Sequence, residues 1–445
     1  MSQLKNKTYN VTVYGCRTNQ YEGEALAASL EEAGAVRSAS APDIEVIVTC
    51  TITAAADRKC RKQIRKLRRE NPRAVIAVCG CYAQNVPEAE RELIGADIII
   101  GNRLKNRLVE ALSGWFADAG SENSIALFDR DILSDDSWDS LALDRPRMHG
   151  RAFLKVQDGC DHYCSYCIVP YVRGRPVSRR ADEVAEEARR IVASGCKEII
   201  LTGIHLGLYD DLPGLVRRVG NIGGLRRLRF GSIEPFAVDD DLLDAIADTE
   251  TFCPHLHLPL QSGDDSVLAS MKRGYTSEDF RMITKKIRHR LNADIHLSTD
   301  LMVGFPAEDD TAFENSLRFV EEIGFGKVHV FPFSPREGTD AAKMRALPEK
   351  RVRERVLRAL KLADKLHKNY CSKWIGKSVS VLVEEKRAEA VVGLTPNYMR
   401  VAAKDRGYTI SEEIDVTPER YENGMLLTGG LSLSHRDGPE ISEFL

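Results

Sequence analysis

The sequence predicts an α/β chain in three parts: an N-terminal open parallel sheet covered by helices, a central partial (β/α)6 barrel, and a small C-terminal antiparallel β-barrel. Three observations predict it. Short apolar runs alternate with amphipathic stretches up to about Ala117. The alternation breaks in an acidic stretch and resumes at Ala152. After residue 373 only short strand patterns remain, punctuated by Gly, Asn and Pro. Alternating strands and helices imply parallel sheets with helical cover; short punctuated strands imply a small barrel.

In the first part, Tyr9–Tyr14, Ile44–Cys50, Ala74–Cys79 and Ile98–Gly101 read as buried strands. Helical patterns lie near Tyr21–Ala33, Thr53–Glu70, Val86–Leu93 and Asn102–Phe116. Asp118–Asp144 carries eight acidic residues against the single basic Arg130, which reads as an acidic, partly extended linker with strand pieces near Ile125–Phe128. In the central part the strands are Ala152–Gln157, Glu198–Thr202, Arg226–Phe230, His255–Leu258, Asp294–Thr299 and Lys327–Val330. Helices are expected at Ala181–Ala193, Asp239–Asp248, Ser277–Leu291 and Asp309–Ile323, and six such units make a partial rather than an eight-fold barrel. A basic helix follows near Pro348–Lys373. Val379–Glu384, Glu389–Leu394, Tyr398–Val401, Ile414–Val416 and Met425–Leu427 build the last part. The expected domains are 1–117, 118–147, 148–373 and 374–445.

The 445 residues are 43% hydrophobic and 29% charged, which excludes a disordered or collagen-like chain. The formal net charge of −3 excludes a uniformly basic protein but not a local basic face. The first residues carry no apolar signal core, and no apolar run is long enough to span a bilayer, so a cytoplasmic protein without membrane contact is expected. In a reducing compartment the eleven cysteines call for metal binding or catalysis rather than disulfides.

Cys160, Cys164 and Cys167 form C-x-x-x-C-x-x-C directly after the first barrel strand, at the face where barrels keep their active sites. Three thiolates leave one iron of a four-iron cluster open for a further ligand. The competing reading is a structural zinc completed by His162. Cys16, Cys50 and Cys81 each follow a strand of the N-terminal part, at the edge where open α/β sheets place ligands. Cys79 is the rival for the third place. Cys60, Cys196, Cys253 and Cys371 have no partner spacing and read as small hydrophobes.

The cysteine triplet on a partial barrel resembles the radical S-adenosylmethionine enzymes, in which the open iron binds S-adenosylmethionine and its cleavage yields a 5′-deoxyadenosyl radical. GCRTNQYEGEA, TCTITAAAD and GCYAQ resemble the N-terminal domain of the methylthiotransferases. LTGIHLGLYD, SIEP, HLHLPLQSGDDSVLASMKRGYT and TDLMVGFPAEDDTAFENS resemble their radical barrel, in order. WIGKSVSVLVEE and GLTPNYMRV resemble their RNA-binding TRAM domain. The resemblance covers nearly the whole chain, the acidic linker excepted. It implies two [4Fe-4S] clusters, an auxiliary one on Cys16, Cys50 and Cys81 and a radical one on Cys160, Cys164 and Cys167.

The resemblance also places Thr202 and Gly203 beside the methionyl group, although TGIH replaces the Gly-Gly-Glu-Pro common in radical enzymes. Ser232, Glu234 and Gln261 are expected as further polar contacts to the cofactor. Ser262 shares that expectation, and for Ser232 and Ser262 capping and turn roles compete; Arg273 reads either as a contact to a carboxylate or phosphate or as a solvated surface charge. Gly304 and Pro306 are expected to shape a tight turn near the site.

The implied reaction replaces hydrogen by a methylthio group on carbon 2 of a modified adenine next to the anticodon of tRNA. It requires an electron donor (a reductase or flavodoxin type) and a sulfur donor. GCRTNQYEGEA and GLTPNY most resemble the branch acting on N6-threonylcarbamoyladenosine. The isopentenyladenosine branch typically shows Gln-Met-Asn where this chain has Arg17-Thr18-Asn19. A third branch acts on an aspartate of a ribosomal protein. A zinc-dependent RNA-binding protein without radical chemistry is the alternative from another class. For RNA, Arg58, Lys62, Arg65 and Arg69 recur at helical spacing, and Lys350–Lys373 carries nine basic residues against two acidic ones. Tyr398, Met399 and Arg400 lie in the small barrel and offer an aromatic and basic surface for RNA, with a Tyr398 packed inside as the equal alternative.

Overall fold

The computed structural model describes residues 3–87, 90–91, 94–117, 131–146 and 150–431, and the backbone of 126–128. The N-terminal sheet has six parallel strands in the spatial order Val36–Arg37, Thr8–Val13, Ile44–Thr49, Val75–Gly80, Ile98–Ile100 and Ala126–Phe128. The two middle strands, IEVIVT and VIAVCG, are buried at every position, which is why they read as continuous apolar runs. Chain order reverses beside Thr8–Val13, so the crevice at the carboxyl ends of the first strands is the ligand edge.

Helices Arg17–Glu32 and Ala54–Glu70 cover the sheet. A short helix that was not expected, Cys81–Asn85, precedes the expected stretch Val86–Leu93, within which Glu90 and Arg91 lie in a helical turn. Pro87 has no N–H to donate, and Val86 before it is extended, so the helix stops there. Residues 88, 89, 92 and 93 of that expectation lie outside the described residues. The acidic stretch supplies the last strand of the sheet, Ala126–Phe128. Further along it, Leu141 and Leu143 are buried and the Tyr21 hydroxyl donates to the Leu141 carbonyl at 2.8 Å.

The central part consists of two three-stranded parallel sheets. Ala152–Lys155, Glu198–Thr202 and Arg227–Phe230 form one, and His255–His257, His296–Val303 and Lys327–Pro332 form the other. A bridge between Leu228 and Phe252 joins them into one curved six-stranded wall, the expected partial barrel. Helices Ala181–Ala193, Asp240–Ala247, Ser277–Arg290 and Asp310–Ile323 fall where the sequence places them. Three further helices were not anticipated: Val169–Arg173, Leu212–Gly220 and Asp265–Ser270.

Helix Glu349–Ser372 lies along the last barrel strand through Val356, Ala359, Ala363, Leu366 and Tyr370, an apolar stripe at three- and four-residue steps. The C-terminal sheet is six-stranded: Glu413–Val416, Val379–Lys386, Ala390–Leu394, Arg400–Lys404, Met425–Leu427 and Arg420–Glu422. Its interior is Val381, Val383, Val391, Val401, Ile414 and Leu426.

Candidate functional site

The central barrel's inner wall is polar. Strand alternation puts His255, His257, Ser298, Asp300, Lys327 and His329 on one face, while Leu256, Leu297, Val328 and Val330 point to the helices. In register, His257 lies beside Ser298, Ser298 beside Lys327, and Asp300 beside His329. His257 contacts Asp300 at 3.2 Å and the Ser298 hydroxyl at 3.0 Å. Sequence reasoning found these strands but missed their lumen face. The signal was present as a polar residue at every second position of HLH, HLSTD and KVH.

Cys160, Cys164 and Cys167 lie at the carboxyl end of the first barrel strand. Their sulfurs are close enough for their charges to interact: Cys167 feels both others, and Cys160 feels Cys164. Burial pushes the Cys160 thiol up to about 11 and Cys167 to about 12, so an ion pairing with their thiolates must supply positive charge. Arg273 is no surface charge. It is buried, with Nη1 3.5 Å from the Cys164 sulfur, Nη2 on the Glu234 carboxylate and Nε 3.2 Å from the Tyr275 hydroxyl.

Of the other expected contacts, Thr202 and Gly203 end the second strand. A side chain at Gly203 would meet Gln157 Oε1 at 2.9 Å, so the backbone there is closely packed. Ser232 caps no helix and makes no hydrogen bond among the described residues. Ser262 serves the turn, bonded to Ser316 at 3.1 Å and accepting from the Asp264 N–H. Gln261 holds φ +70° and leaves its buried Oε1 without a partner. His205, not anticipated, is buried with both ring nitrogens unpartnered, and its ring stacks on His162 at 4.8 Å. Orphaned polar atoms beside the cysteine loop fit a polar ligand at the barrel mouth. Gly304 does form a tight turn, at φ +80°, but it packs under Val352 of the long helix.

In the N-terminal domain Cys16, Cys50 and Cys81 follow three adjacent strands of the sheet. The Cys50 sulfur senses Cys81 and Cys16, and Cys16 senses Cys81. Gly15 has φ +108°, and a Cβ there would stand 2.7 Å from Cys50 Cβ, so the first two are in close approach. Cys79 points into the core of the sheet and has neither of these neighbours among its strongest. Cys16 is exposed yet desolvated, which places its thiol in an enclosed space between the domains. Among the described residues, no three His, Cys, Asp or Glu side chains are gathered tightly enough to share one metal ion; a polynuclear cluster takes one thiolate per iron and accepts wider spacing.

The two triplets are tied together by buried charge. Glu22 contacts Lys155 at 2.8 Å, Arg173 at 2.7 Å and Lys105 at 3.4 Å. Asp158 contacts Lys155 at 2.6 Å and Arg173 at 3.3 Å, while Asp139 of the acidic stretch reaches Lys105 at 3.5 Å. Three carboxylates thus face three cations. Burial alone would raise the Glu22 carboxyl, but Arg173, Lys105 and Lys155 outweigh it and hold it at about 2. Arg336 adds a second tie, donating to Asp57 at 2.6 Å and Thr51 at 2.8 Å, next to Cys50.

The basic stripe on helix Ala54–Glu70 is a surface feature. Arg58, Arg61, Lys62, Arg65 and Arg69 line a groove of about 340 Å³. The second basic run is partly neutralised: Arg355 pairs with Glu308, Arg358 with Glu314, and Lys365 with Glu321. Tyr398 does not join an outer RNA face. Its loop enters the central barrel, where the ring stacks on His255 at 4.5 Å and 13°. Met399 is buried in the small barrel, and Arg400 pairs with Glu385.

A family model described as the Radical SAM superfamily matches residues 154–320, and one described as uncharacterized protein family UPF0004 matches residues 8–101. The chain is 35% identical over 405 residues to threonylcarbamoyladenosine tRNA methylthiotransferase MtaB of Bacillus subtilis (strain 168), covering 88% of this chain and 89% of the relative. It is 33% identical over 410 residues to tRNA-2-methylthio-N(6)-dimethylallyladenosine synthase of Caldicellulosiruptor saccharolyticus, covering 88% and 85%. The radical S-adenosylmethionine methyltransferase TsrM from Kitasatospora setae shares the fold, with TM-score 0.56 and 15% identity over 74% of this chain and 75% of that one. The six-stranded barrel with its cysteine loop therefore defines a radical S-adenosylmethionine enzyme, a class that works with S-adenosylmethionine and an iron–sulfur cluster. Within that class, the chain belongs to the methylthiotransferase family.

Proposed function

We propose that this chain is a tRNA methylthiotransferase that acts on carbon 2 of N6-threonylcarbamoyladenosine next to the anticodon. The observation that carries the reading is the joining of two cysteine triplets, each at a carboxyl sheet edge, by one buried ion network. Cys160, Cys164 and Cys167 would hold one [4Fe-4S] cluster, and Cys16, Cys50 and Cys81 a second. When bound, the clusters and S-adenosylmethionine supply the hydrogen abstraction and the sulfur and methyl transfer that no acid–base pair could drive at so inert a C–H bond.

The chain's own residues bind and orient. The Arg273–Glu234 pair fixes the wall beside Cys164. His205, Gln261, Ser232 and the Thr202–Gly203 backbone present polar atoms to the cofactor. The groove on helix Ala54–Glu70 attracts RNA phosphates. Residues 1–117, 118–147, 148–373 and 374–445 divide the work into sulfur delivery, connection, radical generation and RNA docking. A reductase or flavodoxin-type protein would supply electrons and a separate donor the sulfur. Among the described residues no helix is long and apolar enough to cross a membrane, in keeping with a cytoplasmic place of work.

Deletion of the gene followed by mass spectrometry of tRNA nucleosides is the test. Loss of the methylthio form of N6-threonylcarbamoyladenosine is expected. An unchanged profile in a cell without a redundant enzyme refutes the reading. Anaerobic purification with iron and sulfide assays separates it from the zinc alternative, for which a colourless protein with stoichiometric zinc is the signature.

A further inference from the structure

Two stretches that resemble the N6-threonylcarbamoyladenosine branch, GCRTNQYEGEA and GLTPNY, meet in space. Arg17, of GCRTNQYEGEA, places Nη2 3.2 Å from the hydroxyl of Tyr398, of GLTPNY. Its other terminal nitrogen donates to the Gly231 carbonyl, at the end of the third barrel strand. One guanidinium thus stands where all three domains come together, one residue from Cys16.

Tyr398 is a rigid partner. Its ring lies against His255, under the guanidinium of Arg229 at 4.9 Å and that of Arg151 at 5.6 Å. Burial raises the Tyr398 hydroxyl, but Arg17, Arg151 and Arg229 outweigh it and pull it down to about 8, the mark of a strongly positive lumen. Some of that charge is compensated. Arg229 pairs with Glu198 at 2.8 Å, Arg151 with Glu384 at 3.0 Å, and Asp300 is engaged by His257.

Two cations remain. Among the described residues no carboxylate pairs with Arg17 or with Lys327. Lys327 sits on the lumen face beside Ser298, close enough to Arg17, Tyr398 and His329 for their charges to interact. Both are half-buried, and burial pulls the Lys327 ammonium below its ordinary range, so an anion that reaches them is drawn by both charges.

The threonylcarbamoyl group ends in a carboxylate, and the isopentenyl group is pure hydrocarbon. We infer that Arg17, with Lys327 beside it and Tyr398 bracing it, binds the threonyl carboxylate and sets the choice of modified adenosine. This rests on the proposed tRNA substrate. A site built to pair a charged group discriminates strongly against a substrate that lacks it.

The test uses the full-length, anaerobically reconstituted protein and anticodon stem-loop RNAs that differ at one base. One carries N6-threonylcarbamoyladenosine, one its carboxamide analogue, and one isopentenyladenosine. Binding is read by fluorescence anisotropy and methylthiolation by mass spectrometry. The wild type is expected to prefer acid to amide by about tenfold to a hundredfold. Arg17→Gln and Lys327→Gln should each erase most of that preference by weakening the acid far more than the amide, with iron, sulfide and circular dichroism unchanged. Arg17→Lys should keep part of it. Equal losses on acid and amide would mean an RNA phosphate is the anion and overturn the inference, as would a preference retained in both Gln variants. A fall in iron content in Arg17→Gln with Lys327→Gln still selective would assign Arg17 to the cysteine site and overturn it too. A wild type that modifies threonylcarbamoyladenosine without preferring acid to amide removes this inference alone. A wild type that modifies only the isopentenyl RNA removes the substrate reading itself.

Discussion

Arg173 holds Cys81 from across a domain boundary, with Nε 3.2 Å from the sulfur. The arginine ends the short helix Val169–Arg173, which starts two residues after Cys167. Its remaining nitrogens bind Asn19 at 2.6 Å, Glu22 at 2.7 Å and Asp158 at 3.3 Å. A single side chain therefore links the loop of one cysteine triplet to a member of the other.

Replacing Arg173 by Met should take one of their cations from two buried carboxylates, Glu22 and Asp158, and leave them to Lys155 and Lys105. Removing one partner of a buried ion network costs about 3–5 kcal/mol. Denaturant unfolding of Arg173→Met should show a loss of that order, with Arg173→Lys in between. A loss below about 1 kcal/mol, the size of a surface pair, would show that the network is dispensable.

Gly15→Ala should impair cluster loading. The position is left-handed at φ +108°, and the added Cβ would stand 2.7 Å from Cys50 Cβ. Gly338, also left-handed at φ +87°, has nothing within 4 Å. Gly338→Ala therefore carries only the backbone strain, about 1–2 kcal/mol. Iron and sulfide per chain after reconstitution should fall in Gly15→Ala and hold in Gly338→Ala.

Cys81→Ala and Cys79→Ala should separate cleanly. Cys81 lies with Cys16, Cys50 and Arg173, whereas Cys79 packs in the core of the sheet. The first change should remove about half of the bound iron if the two triplets load equally. The second should leave iron in place and cost stability, since it deletes only a small buried side chain.

Stability should fall as pH drops below about 6.5. Burial lowers His296 to about 3, and burial with the neighbouring His296 and Arg229 charges lowers His255 well below 6.5. Between those limits the unfolded chain binds protons that the folded chain refuses. The folded state is therefore favoured at higher pH, by about 1.4 kcal/mol per pH unit for each proton. Urea unfolding between pH 7 and pH 5 should show the slope, and His296→Gln should reduce it. An identical slope in the variant would assign the effect to other groups.

Arg65→Gln combined with Arg69→Gln should weaken tRNA binding and lower the dependence of log K on log salt by about two. Lys365→Gln on the long helix should change that slope little, because Lys365 is already paired with Glu321 at 2.7 Å. Binding titrations at several salt concentrations distinguish the two faces.

The strand–helix rhythm, the six cysteines at strand ends and the switch to a small β-barrel were legible because each is a local pattern. Glu198–Thr202, Ala181–Ala193 and Met425–Leu427 fall on the residues expected. What depends on distant contacts was hidden. Glu22, Lys105, Asp139, Lys155, Asp158 and Arg173 carry no signal in the sequence, since nothing local says that they meet in the interior. For Tyr398 an exposed and a packed ring stayed open, because its loop's insertion into another domain has no signature in GLTPNY. For Arg273 the sequence left a carboxylate or phosphate contact and a surface charge side by side, because its carboxylate partner lies 39 residues earlier, in SIEP.

The six-charge network also settles what can move. A hinge between the N-terminal sheet and the barrel would have to strip fully buried carboxylates and cations of their partners at every opening. The gap between the two cysteine triplets is therefore a built dimension, established once at folding. Any travel needed during a reaction cycle falls to the incoming polynucleotide and to its target base, which must come to a workplace of constant size.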